Sequence, residues 1–185
     1  MTASLAANLW PAARSNALTQ LALAVGGSLL LAASAHIQVP FWPVPLTMQT
    51  LAVLLIGIVY GPELGAATVL LYLAEGASGL PMFAKGGGIA YLTGPTAGYL
   101  VSYPIAAAIV GWMTSGGRGR SLGYAVLGCL AAEVVIFALG FGWLATFIGA
   151  SKAWLAGVQP FLLGDAVKVA IAALISQTAW RHVVR

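Results

Sequence analysis

Asp165 and Lys168 stand three residues apart in the otherwise apolar run FLLGDAVKVA, from Phe161 to Ala170, and are the clearest candidates for chemistry in the chain. That spacing puts both side chains on one helical face. The apolar run continues through Ile171 and Ile175 to Trp180, so the two charges fall within or at the edge of a membrane-spanning helix. A charge there costs about 2.5 to 3.5 kcal/mol on insertion scales. Either the pair merely neutralises itself, or it forms a polar hand inside an apolar pocket. A carboxylate offers only acceptors and an ammonium only donors, so together they match a ligand group carrying both N–H and C=O. Glu133, at mid-depth in the apolar stretch LGCLAAEVV, is a further candidate; the competing reading is a hydrogen-bonded Glu packed in the bundle.

The elements that position these residues follow from composition. Of 185 residues, 61% are hydrophobic and 6% charged, with a mean hydropathy of +0.96. Soluble domains carry about 25% charged residues, so this is an integral membrane protein. Barrel strands of about ten alternating residues would show polar positions that are absent, which leaves an all-α bundle, read as one membrane domain over residues 1–185. No GxxxxGK[ST] sequence occurs, so the chain does not harness ATP through a P-loop. Cys129 is the single cysteine, and His36 and His182 are the two histidines, with no metal-binding spacing. A net charge of +4 scattered over helix ends is a topology signal and not a nucleic-acid patch.

Six transmembrane helices are predicted, at about 17–36, 46–60, 62–76, 95–113, 122–140 and 160–181, after a short N-terminal segment, 1–16. The first run ends in Ala33-Ser34-Ala35, which also fits the outline of a cleavable signal peptide. Within it Ala24, Ser28 and Ala32 recur at every fourth position, a stripe suited to close packing inside the protein or to docking a membrane partner. The prolines of VPFWPVPLT (Val39 to Thr47) predict a rigid extended loop whose Phe41 and Trp42 cap a pocket or anchor the interface. Gly61-Pro62-Glu63 divides two short apolar runs into a tight helical hairpin. The stretch from Gly76 to Gly94 is too broken for a helix, and its Gly86-Gly87-Gly88 offers either amides to an anion or plain flexibility. Pro95 is suited to a first helical position, Thr114 to Ser121 reads as a plain loop, Gly140 and Gly142 weaken the fifth span, and Trp143 to Gln159 returns across the surface.

Six spans put both termini on one side. Arg14, Arg118, Arg120, Arg181 and Arg185 share that side, against Lys85 and Lys152 on the other, so both termini face the cytoplasm. The two irregular loops and the Pro160 end of the last helix then face outward, beside Asp165 and Lys168.

VPFWPVPLTMQTL (Val39 to Leu51), GLPMFAKGGGIAYLTGPTAGYL (Gly79 to Leu100) and GDAVK (Gly164 to Lys168), in this order, resemble the S components of energy-coupling-factor vitamin transporters, specifically the biotin-binding type called BioY. The resemblance covers nearly the whole chain. It implies capture of biotin from outside, no enzymatic activity, no cofactor, and residence in the bacterial cell membrane. It also implies three partners, a transmembrane coupling subunit and two cytoplasmic ATPases. Asp165 and Lys168 match the family's ureido-binding residues, and Gly86, Gly87, Gly88, Gly94, Thr96 and Tyr99 match its pocket-forming segments. The ligand's carboxylate is assigned to Lys85 or the loop amides, and the stripe Ala24, Ser28, Ala32 becomes the docking face. The chain departs from the family pattern at Ala97, where a glycine is common and a methyl narrows close backbone approach.

Two other classes compete. An intramembrane enzyme using Glu133 and Asp165 as an acid/base pair lacks a nucleophile, metal set or phosphate-binding signature. A solitary or proton-coupled carrier for biotin or a related ureido vitamin precursor would use protonation of Glu133 or Asp165.

Overall fold

The computed structural model describes residues 4–183 and is all-α, apart from one short ribbon. Its helices are α1 (Leu5–Leu9), α2 (Ala17–His36), α3 (Gln49–Ala77), α4 (Ala97–Thr114), α5 (Leu122–Ile148), α6 (Ala150–Gly157) and α7 (Leu162–Val183). Among the described residues, α2, α3, α4, α5 and α7 are long and apolar enough to cross a membrane.

The long α3 folds back on itself. Gly61 takes φ 82°, ψ −179°, outside helical space, and Pro62 follows where its missing N–H leaves no helical bond unmade. Segments 49–60 and 62–77 run side by side: Gln49 Nε2 donates to the Tyr72 hydroxyl at 2.7 Å. A straight helix would hold those residues roughly 34 Å apart. The hairpin lies against α4 through small residues on both sides. A methyl on Gly57 would stand 2.4 Å from the Ala107 carbonyl oxygen, and one on Gly111 would stand 2.6 Å from the Gly61 carbonyl carbon. Gly57 and Gly61 on one element, with Ala107 and Gly111 on the other, therefore form a pair of small-xxx-small stripes in backbone contact.

One end of the bundle gathers α1, the Gly61 bend, the Arg118–Arg120 turn and the last turns of α7. Ser4 caps α1 by accepting from the Ala7 N–H at 3.2 Å, Leu5 is buried, and Trp180 packs beside Gly119. Arg118 reaches the Ser115 and Trp112 carbonyls and lies over the Trp112 ring. The segment predicted as a plain loop thus contains a turn seated on α7. Arg185 lies outside the described residues.

The opposite end carries the site-forming loops. Gln38–Val39 pairs antiparallel with Leu46–Thr47, so the second helix begins at Gln49 and not near 46. The Trp42–Pro43 peptide in the tip is cis. Two expectations about helix ends are corrected here. Pro95 precedes the helix, which begins at Ala97 after Thr96. The fifth span does not weaken at its glycines and runs on to Ile148: the Tyr99 ring fills the space beside Gly140, Leu144 is fully buried, and Trp143 Nε1 donates to the Gly94 carbonyl at 2.9 Å. Packing outweighs the roughly 1 kcal/mol that each helical glycine costs. The return from 149 to 159 is largely the short helix α6.

Candidate functional site: a buried ion pair beneath two loops

Asp165 lies in the first turn of α7, where the unpaired N–H groups favour an anion, and Lys168 follows one turn below. Both are buried, at 4% and 5% exposure. Lys168 Nζ donates to Asp165 Oδ1 at 2.7 Å, to the Thr47 carbonyl at 2.8 Å and to Thr50 Oγ1 at 2.8 Å. The Thr50 hydroxyl in turn donates to Asp165 Oδ1 at 3.1 Å. All three ammonium protons are thereby placed. Among the described residues, no hydrogen bond involves Asp165 Oδ2.

The pair faces a cavity of about 40 Å³, which exceeds the roughly 10–15 Å³ a single water requires. Val44 and Pro45 of the proline-rich loop, Ala84 of the glycine-rich loop, Phe161 and the Tyr99 ring form apolar walls; Tyr91, Thr96 and Tyr103 add polar ones. Burial raises the Tyr91 phenol above its ordinary value, which keeps it a neutral hydroxyl. The Tyr99 hydroxyl is committed to the Gly157 carbonyl at 2.7 Å, so its ring is what it offers the cavity. The outer wall is pinned twice. Gln38 Nε2 donates to the Ala84 carbonyl at 2.8 Å, and a Gln49–Tyr72–Met82 relay ties the hairpin to the same loop.

The sequence expectations divide on this geometry. Asp165, Lys168, Thr96 and Tyr99 converge on the cavity. Phe41 and Trp42 do not: they are 42% and 79% exposed, and the capping wall comes from Val44 and Pro45 instead. Lys85 is exposed and off the cavity wall. Gly86 and Gly88 do not present free amides, because their N–H groups bond the Phe83 and Gly76 carbonyls at 3.1 Å and 2.7 Å; Gly87 is exposed and, like them, off the wall. Glu133 is buried at 5% exposure with both carboxylate oxygens unpartnered, one turn before the cavity-lining Ile136 and Phe137. Sequence reasoning missed Thr50, Gln49 and Tyr103. The available signal was TMQT, a polar cluster at the first turn of an apolar helix.

The docking stripe is also corrected. Ala24 and Ser28 are buried within this chain at 8% and 0% exposure, and Ala32 is half-buried against the core. The stripe is intramolecular packing. A Ser28→Trp change is therefore expected to lower the melting temperature of the isolated protein by about 2–12 °C, through an overpacking cost of about 1–3 kcal/mol; an unchanged melting curve would show the face to be open.

Comparison with known proteins agrees with this architecture. The BioY family model matches residues 5–185. The chain is 44% identical over 149 residues to the probable biotin transporter BioY of Pyrococcus horikoshii, covering 80% of this chain and 88% of that one. It is 35% identical over 149 residues to the biotin transporter BioY of Thermotoga maritima, covering 80% and 87%. Its fold is similar to the crystal structure of the S-component for biotin from an ECF-type ABC transporter, with a TM-score of 0.76 over 89% of this chain and 92% of that one at 21% identity. A family match over nearly the whole length, joined to an S-component fold with an ion pair at its loop-covered end, makes this chain a member of the BioY family.

Proposed function

We infer that the protein takes up biotin as the substrate-capturing S component of an ECF-type transporter in the cell membrane, with ATP hydrolysed by partner subunits. The observation that carries this is the Asp165–Lys168 pair, with Asp165 Oδ2 uncommitted, inside an apolar and aromatic cavity. A cyclic urea presents N–H donors and a carbonyl acceptor. Asp165 Oδ2 takes an N–H and Lys168 donates to the C=O, each charge-assisted bond contributing about 1.5–3 kcal/mol. Tyr99 and Phe161, stacked with centroids 6.5 Å apart, supply an apolar surface for the rest of the ligand.

The α3 hairpin counts as two short crossings, giving six, with both termini, the Gly61 bend and the arginine-bearing turn on the cytoplasmic side and the cavity opening outward. A coupling subunit and two cytoplasmic ATPases complete the transporter. The side of α2 left for a partner carries the exposed Ala22, Gly26 and Ala33.

Equilibrium binding of radiolabelled biotin to the purified protein, together with uptake by cells making this chain with and without coupling and ATPase subunits, tests the reading. Saturable binding by the chain alone, with ATP-dependent uptake only in the presence of partners, is the expected result. No binding would refute the biotin assignment. Uptake by this chain alone that collapses with a proton uncoupler would instead identify a proton-coupled carrier.

A further inference from the structure

Thr50 behaves unlike three other threonines of the long helices. Thr68, Thr114 and Thr178 turn their hydroxyls back to the carbonyl four residues earlier, at 2.7, 2.8 and 2.8 Å, the usual arrangement in apolar helices. Thr50 stands in the first turn of α3, where the residue four earlier, Leu46, belongs to the ribbon and not to a helix. Its hydroxyl is free to point elsewhere, and it points at the ion pair. It accepts from Lys168 Nζ at 2.8 Å and donates to Asp165 Oδ1 at 3.1 Å.

A ureido group makes bonds of the same two kinds, its carbonyl accepting from Lys168 and an N–H donating to Asp165. A hydroxyl is the smallest side-chain group able to make both at once. With Thr47 and Asp165 taking the other two ammonium protons, Lys168 has no donor left for an incoming carbonyl. We propose that the Thr50 hydroxyl is a built-in stand-in for the carbonyl of the ligand's polar head: it completes the bonds of the Lys168 ammonium while the site is empty, and it must yield its place on Lys168 for biotin to bind. Thr50 thereby sets affinity by competition. With Thr50 in place the ammonium is fully bonded in the empty site, and Asp165 Oδ2 is the one atom of the pair left for a ligand. This inference rests on the biotin reading and adds a residue whose removal tightens binding instead of weakening it.

Thr50→Val keeps the shape and removes both bonds; Thr50→Ser keeps the hydroxyl. Calorimetric biotin affinity and melting temperature with and without saturating biotin, in detergent, are the measurements. Thr50→Val is expected to melt below the unaltered protein when empty and level with it when saturated, with a Kd lowered about tenfold, as follows from relieving one unsatisfied buried donor. Thr50→Ser is expected to match the unaltered protein throughout. A Thr50→Val protein that is folded only in the presence of biotin would support the proposal; one that stays unfolded in saturating biotin would overturn it. Equal destabilisation of both states with unchanged Kd would mark Thr50 as merely structural, and a raised Kd would make it a direct ligand contact; either overturns the proposal. Failure of the unaltered protein to bind biotin sinks the function reading and this inference together, whereas normal binding by the unaltered protein without the Thr50→Val gain sinks the inference alone.

Discussion

Lys168→Ala and Asp165→Asn are each expected to weaken biotin binding by at least a hundredfold, about 2.7 kcal/mol. The magnitude follows from the bonds. In the proposed binding mode Lys168 donates to the ligand carbonyl and Asp165 accepts from its N–H, and charge-assisted bonds in a buried site contribute about 1.5–3 kcal/mol each. Each single change also strands its partner: without Lys168, Asp165 keeps only the Thr50 hydroxyl as a donor. Removing one member of a buried pair costs about 3–5 kcal/mol of stability, so weak binding by a single variant could reflect unfolding. Replacing both members by apolar residues of similar size is often neutral for stability. The double change Asp165→Leu with Lys168→Met is therefore expected to melt near the unaltered protein and to bind no biotin. Binding by that stable double variant within tenfold of the unaltered protein would move the ligand to another site.

The ion pair was legible because charges in an apolar run have few physical explanations, and three-residue spacing fixes their common face whatever surrounds them. Their surroundings were not legible. Thr50 reads in sequence like Thr68 or Thr114, which serve only their own helix backbone; what distinguishes it is a ribbon at 46–47 that displaces the helix start to Gln49. The prolines predict a rigid extended loop, yet which of its side chains turn inward is set by the ribbon that closes it, with Val44 and Pro45 on the cavity and Trp42 outside. The hairpin at Gly61-Pro62 was readable because a proline behind a glycine has a defined backbone consequence. Glycine inside an apolar helix is ambiguous. Gly140 and Gly142 carry the same local signal, but the first faces the Tyr99 ring and the second has no atom within 4 Å of an added methyl. A four-residue recurrence of small side chains says that something approaches closely and not what approaches. At Ala24 and Ser28 the neighbour is this chain itself.

The same ambiguity hid the contact on which the bundle depends most, and it yields the second large effect. Gly111→Val is expected to abolish recovery of folded, monodisperse protein. A side chain at Gly111 would meet three backbone atoms of the hairpin, the Gly61 carbonyl carbon, the Gly57 oxygen and the Pro62 nitrogen, at 2.6, 2.7 and 2.7 Å. Backbone cannot rotate aside as a side chain does. The hairpin would have to move as a body, carrying Thr47 and Thr50 away from Lys168 at the other end of segment 49–60. Overpacking a tight core typically costs about 1–3 kcal/mol when side chains can give, and here they cannot, so the loss should reach the upper end of that range or exceed it. Helix propensity opposes the loss weakly: replacing glycine in a helix gains under about 1 kcal/mol. Gly142→Ala isolates that smaller term, since nothing crowds the added methyl, and its melting temperature is expected to stay level or rise slightly. Size-exclusion profiles and melting curves of the two variants measured together decide the matter. A Gly111→Val protein that elutes and melts like Gly142→Ala would mean that α4 and the hairpin stand further apart than the interlocked Gly57, Gly61, Ala107 and Gly111 place them.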